Sequence, residues 1–274
     1  MNNLLLVSEG WRMFKRHLHV KGKHFAKYSG QATQICQAIL TDLWNDTFMQ
    51  TSTGNYPQFY SRDFGMVIDP LLALGYKEQV RKTLVYALKH YKKSGKVTTH
   101  LTPKGKAVNF PNAYSPDSLA YLLRSLRVLG DTKLIKEYDG FLQGEIRRFA
   151  DEALDEDGKI KRGKHLGGMR DHAIRDASCY DTIMAAIVQR ESKKLGLQFP
   201  HATDYKKVLL EDYWSGSYFK DDMKNNTLTA DANIYPFWHG IITDKKLLKK
   251  TIASMQKAKL DKPFPIKYVR NKEE

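Results

Sequence analysis

Four times along the chain a Ser or Thr is followed two or three residues later by Asp, then by an apolar helical stretch ending near Gly, then by a second helix. The starts are Ser61-Arg62-Asp63, Ser115-Pro116-Asp117, Ser178-Cys179-Tyr180-Asp181 and Thr229-Ala230-Asp231. A unit of this size that recurs is a helical hairpin that cannot bury its apolar face alone, so consecutive copies must pack on one another. If each copy turns the same end inward, the four carboxylates converge on one cavity.

The two helices of each unit differ in character. Residues 64–74 carry Phe64, Met66, Val67, Ile68, Leu71, Leu72 and Leu74 with few polar positions, the pattern of an inner helix buried on several sides. Residues 77–93 space Val80, Leu84, Val85, Leu88 and Tyr91 at three and four with Lys and Arg between, the pattern of an outer helix. The same alternation predicts inner helices over 119–129, 183–195 and 234–241, and outer ones over 132–153, 204–214 and 246–258. A further helix over 31–43 reads as the outer partner of another unit.

Gly75, Gly130 and Gly196 sit in very short links between the paired helices, where a left-handed cap ends the first helix. The returns, residues 94–116, 155–177 and 215–230, are long, as functional loops are. Three of them open alike, with Gly95-Lys96-Val97, Gly158-Lys159-Ile160 and Gly216-Ser217-Tyr218. Ser61, Ser115, Ser178 and Thr229 are predicted N-caps, and Pro116 suits the first helical position. A closed ring of hairpins, within one domain over 1–274, is the expected architecture.

Bulk properties exclude several classes. With 274 residues, 42% hydrophobic and 27% charged, the chain can bury a core. Cys36 and Cys179 stand far apart with no Cys/His pattern, so neither a disulfide framework nor a metal site is expected, and a reducing, cytoplasmic setting fits. No stretch approaches the roughly 20 apolar residues of a membrane span, and Met1 to Val7 lack the features of a signal peptide. The net charge of +15 favours an anionic partner, but much of it lies in pairs such as Lys92-Lys93, Lys193-Lys194 and Lys249-Lys250 on outer helices, where solvation explains it. Neither nucleic acid nor membrane is expected as partner. No dinucleotide or phosphate-binding glycine motif occurs, and Asp155-Glu156-Asp157-Gly158 reads as a turn rather than a calcium loop.

The segments Tyr60-Ser61-Arg62-Asp63-Phe64, Asn112 through Ser118, Arg175 through Asp181 and Ala232 through Trp238, in this order and hairpin context, resemble the six-hairpin glycosidases, in particular glucoamylases and amylo-1,6-glucosidases. The resemblance covers roughly residues 30–270. It implies an all-α fold, an (α/α) helical-hairpin toroid, and an oligosaccharide or polysaccharide substrate hydrolysed without cofactor. It also implies that Arg62-Asp63 binds a sugar hydroxyl and that the segment from Asn112 to Asp117 lines the same pocket. A complete ring has six hairpins and this chain shows four, so an incomplete toroid lacking C-terminal hairpins is expected, completed by a partner chain or oligomer.

Glycosidic hydrolysis needs a carboxylic acid to protonate the leaving oxygen and a carboxylate to activate water or attack the sugar. The densest region for that chemistry is Met169 to Asp181, where three carboxylates lie among two arginines and a histidine. Asp176 and Asp181 are the acid/base candidates and Asp171 the reserve. Arg62, Asp63, Tyr114, Asp117, Arg175, Asp231 and Trp238 are the substrate-binding candidates, the aromatics offering faces for sugar rings. A first-turn Asp is also what the helix dipole favours without any function. Two alternatives share the fold: a polysaccharide lyase or uronyl hydrolase, which the basic charge suits, and a non-catalytic carbohydrate-binding protein.

Overall fold

The computed structural model describes residues 3–23, 26–110, 113–169, 173–263 and 266–269. The chain gathers into two compact units, Met1–Asn112 with Ser125–Tyr138, and Ala113–Arg124 with Asp139–Glu274. Both are helical, and their helices pair as hairpins.

In the first unit, α1 (Asn3–Lys23) and α2 (Ala32–Leu43) precede a small antiparallel sheet and the first hairpin. The strands β1 (Phe59–Tyr60), β2 (His100–Leu101) and β3 (Ala107–Val108) run in that order, with Phe59 opposite Leu101 and His100 opposite Val108. The expected inner helix is broken into α3 (Ser61–Met66) and α4 (Ile68–Ala73). The break falls where it must, because the ring of Pro70 clashes with a helical carbonyl four residues earlier, at Met66. Its partner α5 (Lys77–Ser94) buries Val80, Leu84, Ala87, Leu88 and Tyr91 on one face. Gly95 ends α5 in the left-handed conformation, at φ +71°.

The helix α6 (Pro116–Leu129) belongs to the second unit up to Arg124, and its last turn and α7 (Thr132–Glu137) belong to the first. In the second unit, α8 (Asp139–Ala153) buries Leu142, Ile146, Phe149 and Ala153 along one stripe. By contrast α9 (Cys179–Lys194) is buried at every position from Cys179 to Val188, the inner helix that its sequence predicts. The expected outer helix over 204–214 is α10 (Tyr205–Val208) continued by a π-helical turn at Leu209–Tyr213. The last hairpin is α11 (Ala230–Trp238) with α12 (Lys245–Lys257), and α11 packs on α9. Pro236 inside α11 leaves the Ala232 carbonyl without its helical donor. The buried Cys179 thiol points at that oxygen from 3.9 Å, so this cysteine has a packing role.

Left-handed glycines close the tight links, with φ of +89° at Gly75, +71° at Gly130, +76° at Gly196 and +66° at Gly240. The long returns repeat too, in a form the sequence motif only partly showed. Immediately after α2, α8 and the π turn, single antiparallel bridges join Trp44 to Met49, Leu154 to Ile160 and Trp214 to Phe219. Each encloses a turn organised by the next side chain: Asn45 Oδ1 accepts from Phe48 N, Asp155 Oδ1 from Lys159 N, and Ser215 Oγ from Tyr218 N. The acidic run 155–157 is thus a turn. The third copy of the motif follows α2, giving it the exit of an outer helix, whereas Gly95 is only a helix cap.

At Gly158, φ is +74° and a Cβ would lie 2.3 Å from Thr203 Oγ1 and 2.8 Å from His201 Cβ. Gly158→Ala is therefore expected to cost at least about 2 kcal/mol, from backbone strain and the clash together, read by urea unfolding. An unchanged midpoint would mean that this turn is not held as described.

Candidate functional site

Three of the four repeated acids lie in the second unit, each in the first turn of its helix: Asp117 in α6, Asp181 in α9 and Asp231 in α11. All three are buried. Asp63 lies in the first turn of α3 in the first unit, where Arg62 Nη2 is 3.4 Å from its carboxylate.

The expected caps divide. Ser178 Oγ accepts from Asp181 N at 3.0 Å and meets Asp181 Oδ2 at 2.6 Å, so it caps α9. Ser61 does not cap; it is the first residue of α3, and its hydroxyl lies 3.0 Å from Tyr91 OH. Thr229 holds the N-cap position of α11 without a side-chain cap bond and turns its hydroxyl to Asp221 Oδ1 at 3.4 Å. Ser115 donates to Asp117 Oδ1 at 3.1 Å. At Ser61 and Thr229 a buried neighbour competes for the hydroxyl.

The three helix starts are tied by Tyr180 and Arg175. Tyr180 OH donates to Asp117 Oδ2 at 3.0 Å, linking α9 to α6. Arg175 Nη1 reaches Asp231 Oδ2 at 3.2 Å and Asp221 Oδ1 at 3.3 Å, and its guanidinium lies 5.6 Å from the Tyr180 ring centre. The Tyr268 hydroxyl donates to Asp231 Oδ2. Burial works against the charge on Arg175, but Asp231, Asp181, Tyr268 and Asp221 together hold it firmly protonated.

Two carboxyls five residues apart in sequence are driven in opposite directions. Burial pushes Asp181 up to about 6, Asp117 and Asp231 add to the rise, and Arg175 and the Ser178 hydroxyl oppose it. Its Oδ1 is buried with no hydrogen-bond partner among the described residues. Asp176 is held down at about 2 by the Arg162 side chain and the Gly163 amide. Arg162 Nε and Nη2 lie 2.8 and 2.7 Å from its Oδ2, Gly163 N donates to Oδ1 at 2.7 Å, and Lys224 Nζ is 3.7 Å away. The Asp176 carboxylate thus ties the chain at Arg162 and Gly163 to the approach to α9. Asp171, His172 and Asn112 lie outside the described residues.

Between these two acids Ala177 takes a left-handed φ of +49°. Its carbonyl accepts from Tyr213 OH at 2.8 Å, and Asp176 N donates to Asp222 Oδ2 at 3.2 Å. A non-glycine residue persists in that conformation only where its surroundings over-determine it.

Among the aromatics, Trp238 is 48% exposed, its ring 5.5 Å from Tyr235 and 4.5 Å from His239. Tyr235 in turn lies 5.7 Å from Tyr180. Tyr114 is half-buried, edge-on to Phe149 at 6.3 Å. Burial, helped by Arg190 and Arg124, pushes His239 down to about 3, so it is neutral, and its Nε2 lies 2.9 Å from Tyr121 OH. Among the described residues no group of three or more His, Cys, Asp or Glu is placed to hold a metal ion.

Asp221, Asp222 and Tyr268 were not singled out from sequence. The adjacent pair Asp221-Asp222 in a long return was the available signal, but such runs usually face water. Tyr268 lies beyond the last repeat and carried none.

The fold is all-α, of the helical-hairpin toroid class. It matches a solved rhamnosidase from Klebsiella oxytoca with rhamnose bound, at a TM-score of 0.58 and 9% identity, over 85% of this chain and 49% of that one. The chain thus spans about half the length of the rhamnosidase, and at that identity the likeness speaks for the fold. No protein-family model and no curated protein matches the sequence.

Two substitutions test the network. Arg175→Met would leave Asp221 and Asp231 without their shared cation in a buried setting, an expected loss of about 3–5 kcal/mol in urea unfolding. Asp176→Asn should cost about 1–2 kcal/mol at pH 7, less than its shift alone implies, because Arg162 and Lys224 are solvent-exposed and water screens them. Since Asp176 is depressed, its contribution is present above its ordinary range and lost as pH falls towards 2, so the two proteins should converge in acid. A difference that persists there would show that the carboxylate charge is not what stabilises the loop.

Proposed function

We propose that the chain is a carbohydrate-active domain of the glycoside hydrolase type, with Asp181 as the proton donor to the leaving oxygen. The observation that carries this reading is the buried Asp181 carboxyl, raised to about 6 in the cluster that holds Asp117, Arg175 and Asp231. A carboxylic acid that keeps its proton close to neutral pH is what protonation of a leaving oxygen calls for. Asp181 is protonated in slightly acidic solution and can give up its proton, whereas Asp176 has both oxygens engaged and serves to position the loop. That leaves Asp171, which falls between Gly163 and Asp176 in sequence, as the candidate for the second carboxylate. Arg62-Asp63, Tyr114, Asp117, Arg175, Asp231 and Trp238 are proposed to bind or organise the sugar. Of these, Trp238 offers an open aromatic face, and Arg175, Asp117 and Asp231 act from beneath through the buried network.

For the substrate, the motifs resembling glucoamylases favour a glucoside and the fold neighbour adds a rhamnoside, so aryl glucosides and aryl rhamnosides head the panel. A reducing, cytoplasmic setting suits the exposed free Cys36. An ultraviolet-absorbing product from a uronate-bearing polymer would instead establish the lyase reading, and sugar binding without turnover the non-catalytic one.

Asp181→Asn is expected to lower kcat by about 10²–10⁴-fold, and the parent's rate should fall as pH rises through about 6. The same substitution separates catalysis from folding. Because the folded carboxyl lies above its ordinary 3.8, the native state binds a proton that the unfolded chain has released; this stability is full below pH 4 and lost above 6. Asp181→Asn should thus be more stable than the parent at pH 8, by at most about 3 kcal/mol, and no more stable at pH 4. Undiminished turnover in this variant would remove Asp181 from the chemistry.

A further inference from the structure

Helix α1 lies against its unit by its polar side. Arg12 and Arg16, one turn apart, are half-buried. Arg12 Nη1 donates to the Gly54 carbonyl at 3.4 Å, and a Cβ on Gly54 would meet Arg16 Nε at 2.6 Å. On the opposite side Val7, Trp11, Phe14 and Leu18 recur at four, three and four residues and are 69, 57, 50 and 52% exposed. A surface helix of a globular protein ordinarily does the reverse. The Trp11 and Phe14 rings stack at 5.6 Å, and Lys15 Nζ sits 5.4 Å from the Trp11 ring centre. Lys15 and Lys21 flank the stripe, and the helix sequence holds Glu9 as its one acid against Arg12, Lys15, Arg16, Lys21 and Lys23.

We infer that α1 docks on an anionic lipid surface, with Val7, Trp11, Phe14 and Leu18 entering the headgroup–acyl boundary and Lys15 and Lys21 at the level of the acidic headgroups. A basic polar side, a stripe of Trp, Phe and Leu and low overall hydropathy are the marks of a helix lying in a bilayer interface. Among the described residues no helix is long and apolar enough to cross a membrane, so the contact is one of lying on the surface. Charge argues against a second copy as occupant, since pairing two such stripes would set Lys15 and Lys21 of both copies together in chains that each carry +15. Geometry argues against a protein groove, which takes up a helix by more than one side, because the Arg12–Arg16 side is already occupied by the Gly54 turn. A flat anionic surface needs only the side that is offered.

The test is flotation of the full chain with phosphatidylcholine vesicles containing about 30 mol% phosphatidylserine, beside pure phosphatidylcholine vesicles. Binding to the anionic vesicles alone is expected, weakened by about 0.5 M salt. The double variants Trp11→Ser with Phe14→Ser, and Lys15→Glu with Lys21→Glu, should each lower the bound fraction at least about tenfold. Their thermal melts should match the parent's, because the altered side chains are exposed. No binding to the anionic vesicles, or variants that bind as well as the parent, overturns the inference. So does a parent that is dimeric in solution, becomes monomeric with Trp11→Ser and Phe14→Ser and ignores vesicles; the stripe is then an interface between copies.

Discussion

One buried guanidinium holds the second unit's helix starts together. A helix N-terminus carries partial positive charge and welcomes an acid, so a repeated hairpin can repeat an Asp without strain. Bringing several such starts together is another matter, because Asp117, Asp181, Asp221 and Asp231 are all buried and repel one another. Arg175 makes the cluster tolerable. It pairs with Asp221 and Asp231, acts on Asp181 through space, and is covered on one side by Tyr180, whose hydroxyl is spent on Asp117. The cost of burying each charge is offset only when it is paired and hydrogen-bonded, and one cation serves several acids here. At Asp181 burial outweighs what Arg175 and the Ser178 hydroxyl give back, and its raised carboxyl follows from that.

The sequence made the hairpins legible where apolar spacing and glycine agree. The face of α5, the all-round burial of α9 and the left-handed Gly75, Gly130 and Gly196 are local properties, and local physics decides them. The convergence of Asp117, Asp181 and Asp231 was legible too, because it follows from repetition. What failed depended on distant neighbours. Ser61 and Thr229 have the right chemistry for caps but spend their hydroxyls on Tyr91 and Asp221. The staple on Asp176 joins residues thirteen and fourteen positions apart through Gly163 and Arg162, which no helical or strand period encodes.

The role of helix α1 is hidden in the sequence for a different reason. Its leading apolar residues are too few for a span or a signal, and Gly10 and Gly22 weaken its intrinsic helicity. Read instead at heptad spacing, Val7, Trp11, Phe14 and Leu18 form a stripe that any helical reading would turn towards the core. Only the structure shows Arg12 and Arg16 occupying that inward side, which converts an ordinary amphipathic pattern into an exposed apolar surface.

The strained Ala177 joins the two halves of the site's design. A left-handed alanine is unfavourable by itself, yet hydrogen bonds fix the backbone on both sides of it: Asp176 N to Asp222, Met223 N to the Asp176 carbonyl, Tyr213 to the Ala177 carbonyl, and Cys179 N to the Asp221 carbonyl. That conformation turns the chain between the loop stapled by Asp176 and the helix capped by Ser178. The Asp176 carboxylate therefore faces Arg162 and Gly163 while Asp181, five residues on, remains in the buried cluster. Their opposite shifts follow from those different surroundings: Arg162 and Gly163 lower Asp176, whereas burial with Asp117 and Asp231 raises Asp181.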